Sequence, residues 1–369
     1  MRYLIAFLLL ILSIPSHAVQ LEGLYSASVV VADQSQAVRN AAMNEVLKKV
    51  VQKVSGRRQE LDNPSLQAAL SNVGSYVEQF QYKTLEEETA SYRLTISFQK
   101  SALDNVLQQF SVPIWGKNRP EILLWLAVDD GVRRYILADE QVAESVLSAA
   151  ADSGLPITLP LFDLDDQRAL SFNDVWAGFS DQVLNASQRY SVKHVVHGRL
   201  LKVSANEWRL SGQLLNGRKQ DSMLLQQGNM DNVLTRFLAE TVEHLADVYA
   251  PRGTVQQRQI KIHISGIKDL AKLAEVTDYL SSLDRVKTVA WEALQGTKLE
   301  LLLSISGEIA VLQDIIALNK VLSPVEPPLF YSEQVLQPVT AVADFALNES
   351  TVQGEVPAPV IDVLYYRAN

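Results

Sequence analysis

The chain has 369 residues, with 33 lysines and arginines against 42 aspartates and glutamates, for a formal charge of −9. Hydrophobic residues make up 47%, which supports ordinary cores, excludes a disordered chain and, with this length, predicts two or three domains. The acidic balance, without any basic run, argues against a nucleic-acid binder, and the absence of cysteine excludes disulfides, thiol chemistry and a cysteine-borne lipid anchor.

Residues 1–18 read as a secretory signal peptide. Arg2 precedes an apolar run from Tyr3 to Leu12, Ile14-Pro15 breaks it, and Ser16-His17-Ala18 offers a small-x-small cleavage pattern. The run is too short for a membrane helix, so the expectation is a periplasmic protein cleaved after Ala18, of charge −10 once Arg2 is lost.

Residues 19–112 predict a small α+β domain in the order β-α-α-β-β-α. Glu22 to Val31 has strand composition. Asp33 and Ser35 can then cap a helix with the apolar row Val38, Ala42, Val46, Val50 and Val54, which Ser55-Gly56 stops. A second helix after Asn63-Pro64 carries Leu66, Ala69, Leu70 and Val73. Strand-like runs Tyr76 to Leu85 and Ser91 to Gln99 follow, joined by Glu86-Glu87-Glu88. In the second run Tyr92, Leu94, Ile96 and Phe98 alternate with polar residues, which buries one face. A last helix runs from Ser101 to Phe110, and residues 113–120 form a linker.

Residues 121–253 predict an α/β domain with a mixed sheet. Ile122 to Val128 is wholly apolar and stops at Asp129-Asp130-Gly131, as suits a strand buried on both faces. A helix from about Asp139 follows, then an extended segment from Leu155 to Phe162 with two prolines. Ser171 and Asp174 form a capping-box pair that opens helical segments reaching Tyr190. Three strands (Val192 to Val203, Trp208 to Leu215, Ser222 to Gln227) make a meander with a type I′ turn at Asn216-Gly217. A helix then carries Leu234, Leu238, Val242, Leu245 and Tyr249 on one face, ended by Pro251 and Gly253. Residues 254–323 read β-α-β-β-α, a ferredoxin-like order. Residues 324–369 form a Pro-rich acidic tail in which Val360 to Tyr366 can dock as a strand.

The strongest chemical candidates are Asp129, Asp130, Asp163, Asp165 and Asp166. If the first two strands of the middle domain are parallel neighbours, these carboxylates meet at the strand ends where open α/β sheets bind ligands, and hard divalent cations take such oxygens. Aspartates also end strands and cap helices routinely, which is the plainer reading. His194 and His197 are three apart on a strand, on opposite faces, and so are poorly placed to share a metal. The pairs Arg57-Arg58 and Arg133-Arg134 lie beside turns and read as solvated surface. The five tryptophans read as core packing. Nucleophile elbows, phosphate loops and dinucleotide fingerprints are absent, so no catalytic residue and no cofactor is expected.

Several stretches are nevertheless familiar: Leu24-Tyr25-Ser26-Ala27 through Val54-Ser55-Gly56, Pro120 to Leu126, Gly154-Leu155-Pro156 through Leu161 to Asp166, and the meander from Gly198-Arg199-Leu200 to Trp208-Arg209-Leu210. On these the chain resembles a secreted proteobacterial family known as domain of unknown function 2066. The middle domain also looks like the α/β module of curli-secretion lipoproteins and of the TolB N-terminus. That resemblance implies binding and carries over no catalytic residue. The resulting expectation is a non-catalytic protein–protein interaction or adaptor protein of the cell envelope. Its partners would be envelope proteins, with no nucleic acid and no integral membrane segment after cleavage. A divalent-metal protein or metal-dependent hydrolase using the aspartates, and a small-ligand binder, are the alternatives.

Overall fold

The computed structural model describes residues 23–85, 91–137, 141–216, 219–252, 256–327 and 361–369. The signal peptide, the Glu86-Glu87-Glu88 turn, Asp139, the glycine of the Asn216-Gly217 turn, Gly253 and residues 328–360 of the tail lie outside the described residues. The chain divides into two compact units, Met1–Val255 and Gln256–Asn369. The protein is a mixed α/β and α+β multidomain molecule.

The first unit contains two sheets. The smaller is built from β1 (Ser26–Val31), β2 (Val77–Thr84) and β3 (Tyr92–Phe98) in the order β1-β3-β2, antiparallel throughout. It is joined by α1 (Gln36–Ser55), α2 (Pro64–Ala69) and α3 (Lys100–Gln109). Ser35 caps α1 by accepting a hydrogen bond from the Val38 N–H. The row Ala42, Val46, Val50 and Val54 is buried and packs with Val29, Leu94, Ile96 and Phe98 in one core. The period-four row of the helix thus meets the period-two row of the strand, as the sequence predicts.

The larger sheet contains β4 (Ile122–Asp129), β5 (Arg134–Ile136), β6 (Ile157–Thr158), β7 (His194–Ser204), β8 (Glu207–Asn216), β9 (Lys219–Ser222) and β10 (Gln226–Gly228). Its order is β10-β8-β7-β4-β5, with β6 on β4 and β9 on β8. The helices are α4 (Gln141–Ser153), α5 (Leu164–Ala169), α6 (Phe172–Ala177), α7 (Ser180–Ser187) and α8 (Met230–Tyr249). Every residue of β4 is buried. Its odd-numbered side chains, Leu123, Trp125 and Ala127, pack with Val175, Val183 and Ala186 of the short helices. On the other face Leu126 and Phe237 of α8 close over Gly198. Ser171 and Asp174 form the expected capping box. Two expectations are corrected. The extended segment yields only the two-residue β6, because Pro156 and Pro160 bracket it and lack N–H donors. The third meander strand is divided into β9 and β10.

The second unit holds β11 (Gln257–Ser265), α9 (Leu270–Ser281), β12 (Val286–Gln295), β13 (Lys298–Ser306), α10 (Ile309–Ala317), β14 (Leu322–Pro324) and β15 (Asp362–Ala368). The sheet order is β12-β13-β11-β15-β14. This is a ferredoxin-like arrangement with one strand added. The strand after α10 would ordinarily pair with β11, but β15 lies there, parallel to β11, and β14 is pushed to the edge. Tyr366 and Ala368 of β15 are buried, which explains why this part of the acidic tail docks.

Candidate functional site

The aspartates singled out by sequence form two separately neutralised groups. Asp129 accepts from the Gly131 N–H at 3.0 Å and from Arg134 Nε at 2.8 Å. Asp130 accepts from the N–H groups of Arg133 (2.6 Å) and Val132 (2.9 Å), which hold its carboxyl below the usual range. Asp163 caps α5 and pairs bidentately with Arg189 at 2.6 and 2.8 Å, an arrangement that pulls its pKa well down. Asp166, fully buried, accepts from the same Arg189 at 3.0 Å, from the Phe162 N–H at 2.8 Å and from the Tyr190 hydroxyl. Burial, reinforced by Asp166, pushes the Tyr190 phenol up to about 12. Asp165 is exposed, 3.9 Å from Arg168. The structure therefore gathers Asp163 and Asp166 on Arg189 and leaves Asp129 and Asp130 on their own turn. β6 pairs only with Ile122 and Leu123, at the start of β4, whereas Asp129 closes its far end. Among the described residues there is no group of three or more His, Asp or Glu side chains that could hold a metal ion.

The histidines point to opposite faces of β7, as their spacing predicts. His194 Nε2 lies 2.8 Å from the Tyr249 hydroxyl of α8, while the His197 ring lies beside Gly178 at the end of α6. Of the tryptophans, Trp115, Trp125 and Trp208 are buried as expected, but Trp291 on edge strand β12 is exposed.

Arg57 corrects the reading of the Arg57-Arg58 pair as solvated surface, whereas Arg58 is exposed as expected, and together they build one wall of a crevice in the first unit. α1 ends at Gly56, which takes a left-handed conformation (φ 69°). A Cβ there would stand 2.8 Å from Ala246 and 2.9 Å from Trp115, so glycine also permits α1 to end against α8. Arg57 is consequently 5% exposed. It donates to the carbonyl of Ala250 at 2.8 Å, to that of Ala246 at 3.1 Å, which also accepts the Ala250 N–H, and to Asp247 at 2.9 Å, all at the α8 C-terminus. Arg58 grips Glu243 with its backbone N–H, Nε and Nη2, a bond that raises its pKa. Behind them Arg119, also buried, donates to the carbonyls of Gly154 and Trp115 and lies 4.3 Å over the Trp115 ring.

Between α1, α4 and α8 these contacts leave a crevice of about 330 Å³. Five cations line it (Lys49, Lys53, Arg57, Arg58 and Arg236) against two carboxylates, Asp152 and Glu243. Arg57 and Arg58 are committed to α8. Lys53 is buried and donates to the Ser26 carbonyl at 3.0 Å, and its pKa is lowered chiefly by burial. Arg236 is exposed at the mouth beside Asn232 and Thr235. The site concentrates hydrogen-bond donors and positive charge in a chain that is acidic as a whole. Such a lining is complementary to anionic groups.

Residues 18–116 match the family described as "Domain of unknown function (DUF8605)". This match includes the α1 wall of the crevice. No curated protein matches the chain. Among solved structures, a formyltetrahydrofolate deformylase from Pseudomonas putida KT2440 aligns at a TM-score of 0.20 and 8% identity, over 61% of this chain and 95% of that one. So slight a likeness transfers neither fold nor activity. Among the described residues no helix is long and apolar enough to cross a membrane.

Proposed function

We propose that the protein is an exported, non-catalytic adaptor of the cell envelope that holds an acidic partner protein in the crevice between α1, α4 and α8. The observation that carries this reading is the concentration of five cations in one crevice of a chain of net charge −9. A long acidic side chain, or a loop bearing several, could meet exposed Arg236 and compete with Glu45, 3.4 Å away, for Lys49. The resemblance to the secreted family of domain of unknown function 2066, and to interaction modules of the curli-secretion type, agrees with a binding role. So does the state of the other ionisable clusters, since Asp163, Asp166 and Arg189 neutralise one another.

Such contact is electrostatic, so its strength must fall as salt screens it. The tagged mature chain, incubated with envelope extract, is expected to retain a defined partner in dilute buffer and release it at about 0.5 M salt, beyond the range of surface charge pairs. Retention independent of salt, or unchanged by the double substitution Lys49→Glu and Arg236→Glu, would count against the crevice as the docking surface.

A further inference from the structure

The sheet of the second unit leaves one long edge open, a feature independent of the crevice and of the adaptor reading. β12 ends the order β12-β13-β11-β15-β14, and among the described residues no strand pairs with its outer side. The Ser306 N–H donates to the Arg285 carbonyl at 2.8 Å, which fixes the alternation along the β12–β13 ladder. With Glu292 and Ala293 counted as one place at the bulge, Val289, Trp291 and Leu294 turn their backbone N–H and C=O groups outward. The same three residues lie opposite Leu303, Leu301 and Leu299, so their side chains share the face on which α9 packs. Those leucines are fully buried, whereas Trp291 is 55% exposed and Leu294 46%. An apolar row and a row of unpaired backbone groups therefore coincide at this edge.

Folded proteins usually shield such edges with prolines, short strands or charges. At the far edge of the same sheet β14 has three residues, Pro324 among them. In the first unit Lys53 and Lys49 donate to the Ser26 and Ser28 carbonyls of edge strand β1. β12 has ten residues and no proline. Its one carboxylate, Glu292, is taken up by Lys261 of β11 at 2.6 Å.

We infer that β12 pairs antiparallel with β12 of a second copy, about a two-fold axis at Trp291. What selects a second copy is that the row is complementary to itself. In this register Trp291 meets its own symmetry mate and Leu294 meets Val289, so apolar side chains face one another at each outward position. The opposing strand brings Ala290 to Glu292 and Gln295 to Lys287, so no like charges meet. The pairing joins two five-stranded sheets and closes both open edges, so assembly stops at two copies.

The test uses the full mature chain, its mass measured by light scattering after size exclusion. A dimer is expected at concentrations up to about 0.1 mM, as suits a small interface. Trp291→Lys and Trp291→Glu, each at an exposed position, should weaken association about thirtyfold or more and yield folded monomers by circular dichroism. An equimolar mixture of the two should regain the mass of two copies, because this position faces its own mate. Should either variant fail to fold, Leu294→Lys alone should give monomers, and Leu294→Lys with Val289→Glu should restore the dimer. A monomeric parent chain, a dimer indifferent to Trp291→Lys, growth beyond two copies, or a mixture that stays monomeric would each overturn the inference, the last by excluding the two-fold register.

Discussion

At the scale of single residues, Asp166 shows what a buried charge in the first unit needs. Asp166 has no exposed side-chain surface and accepts three kinds of donor: a guanidinium, a backbone N–H and a phenol. Asp166→Ala would strand the Phe162 N–H and the Tyr190 hydroxyl and free one side of Arg189. It should destabilise by about 1–3 kcal/mol in urea titration, the cost of leaving half-buried partners unpaired. His197 gives a pH dependence of known sign. Its folded pKa lies below its unfolded value, so the unfolded state binds the extra proton first. The stability this group contributes is complete above about pH 6.5 and is lost as pH falls from there through the folded pKa. Midpoint temperatures measured from neutral to mildly acidic pH should decline in the parent and decline less in His197→Gln. Asp163 acts at lower pH with a depressed carboxyl, so its share is present above about pH 4 and is lost on further acidification.

At the scale of elements, the way α1 ends decides how the two layers of the first unit meet. Gly56→Ala would force a Cβ into a left-handed residue and within 2.9 Å of Trp115 and Ala246, so a loss of about 2 kcal/mol or more in stability is expected by thermal or urea unfolding. In the second unit the added strand β15 contributes Tyr366, 3% exposed, whose replacement by alanine should cost about 3 kcal/mol. How legible these elements were depends on how local their signals are. The period-four row of α1, the apolar run of β4 and the Ser171–Asp174 box are each written within one turn or one strand. β6 is shorter than its composition predicts because its flanking prolines lack N–H donors. The position of β15 between β11 and β14 is a pairing of distant segments, for which a short run near prolines gives composition but no register.

At the scale of the whole molecule, the crevice is a product of tertiary contact. Arg57 bonds a carbonyl 193 residues away, and Arg58 a carboxylate 185 away. From sequence, Arg57-Arg58 is an ordinary pair beside a turn, and Arg236 one charge on a helix surface. Only the fold turns them into one cationic lining, whereas the aspartates are clustered in the sequence itself. The matched segment 18–116 contains one wall and lacks α8. As an isolated fragment it should unfold at markedly lower urea than the same elements do in residues 19–252, because Arg57, Arg58 and Trp115 lose their partners; equal midpoints would show that α8 contributes nothing to it. The central claim is that the crevice is where a partner docks. The most direct measurement places a photo-crosslinking amino acid at Thr235, in the mouth, and at exposed Val132 as a control, in cells exporting the full chain. The account predicts a discrete adduct with an acidic envelope protein from Thr235, absent from Val132 and abolished by Lys49→Glu with Arg236→Glu. An exported, folded protein that crosslinks equally from both positions, or whose Thr235 adduct survives the charge reversal, would contradict it.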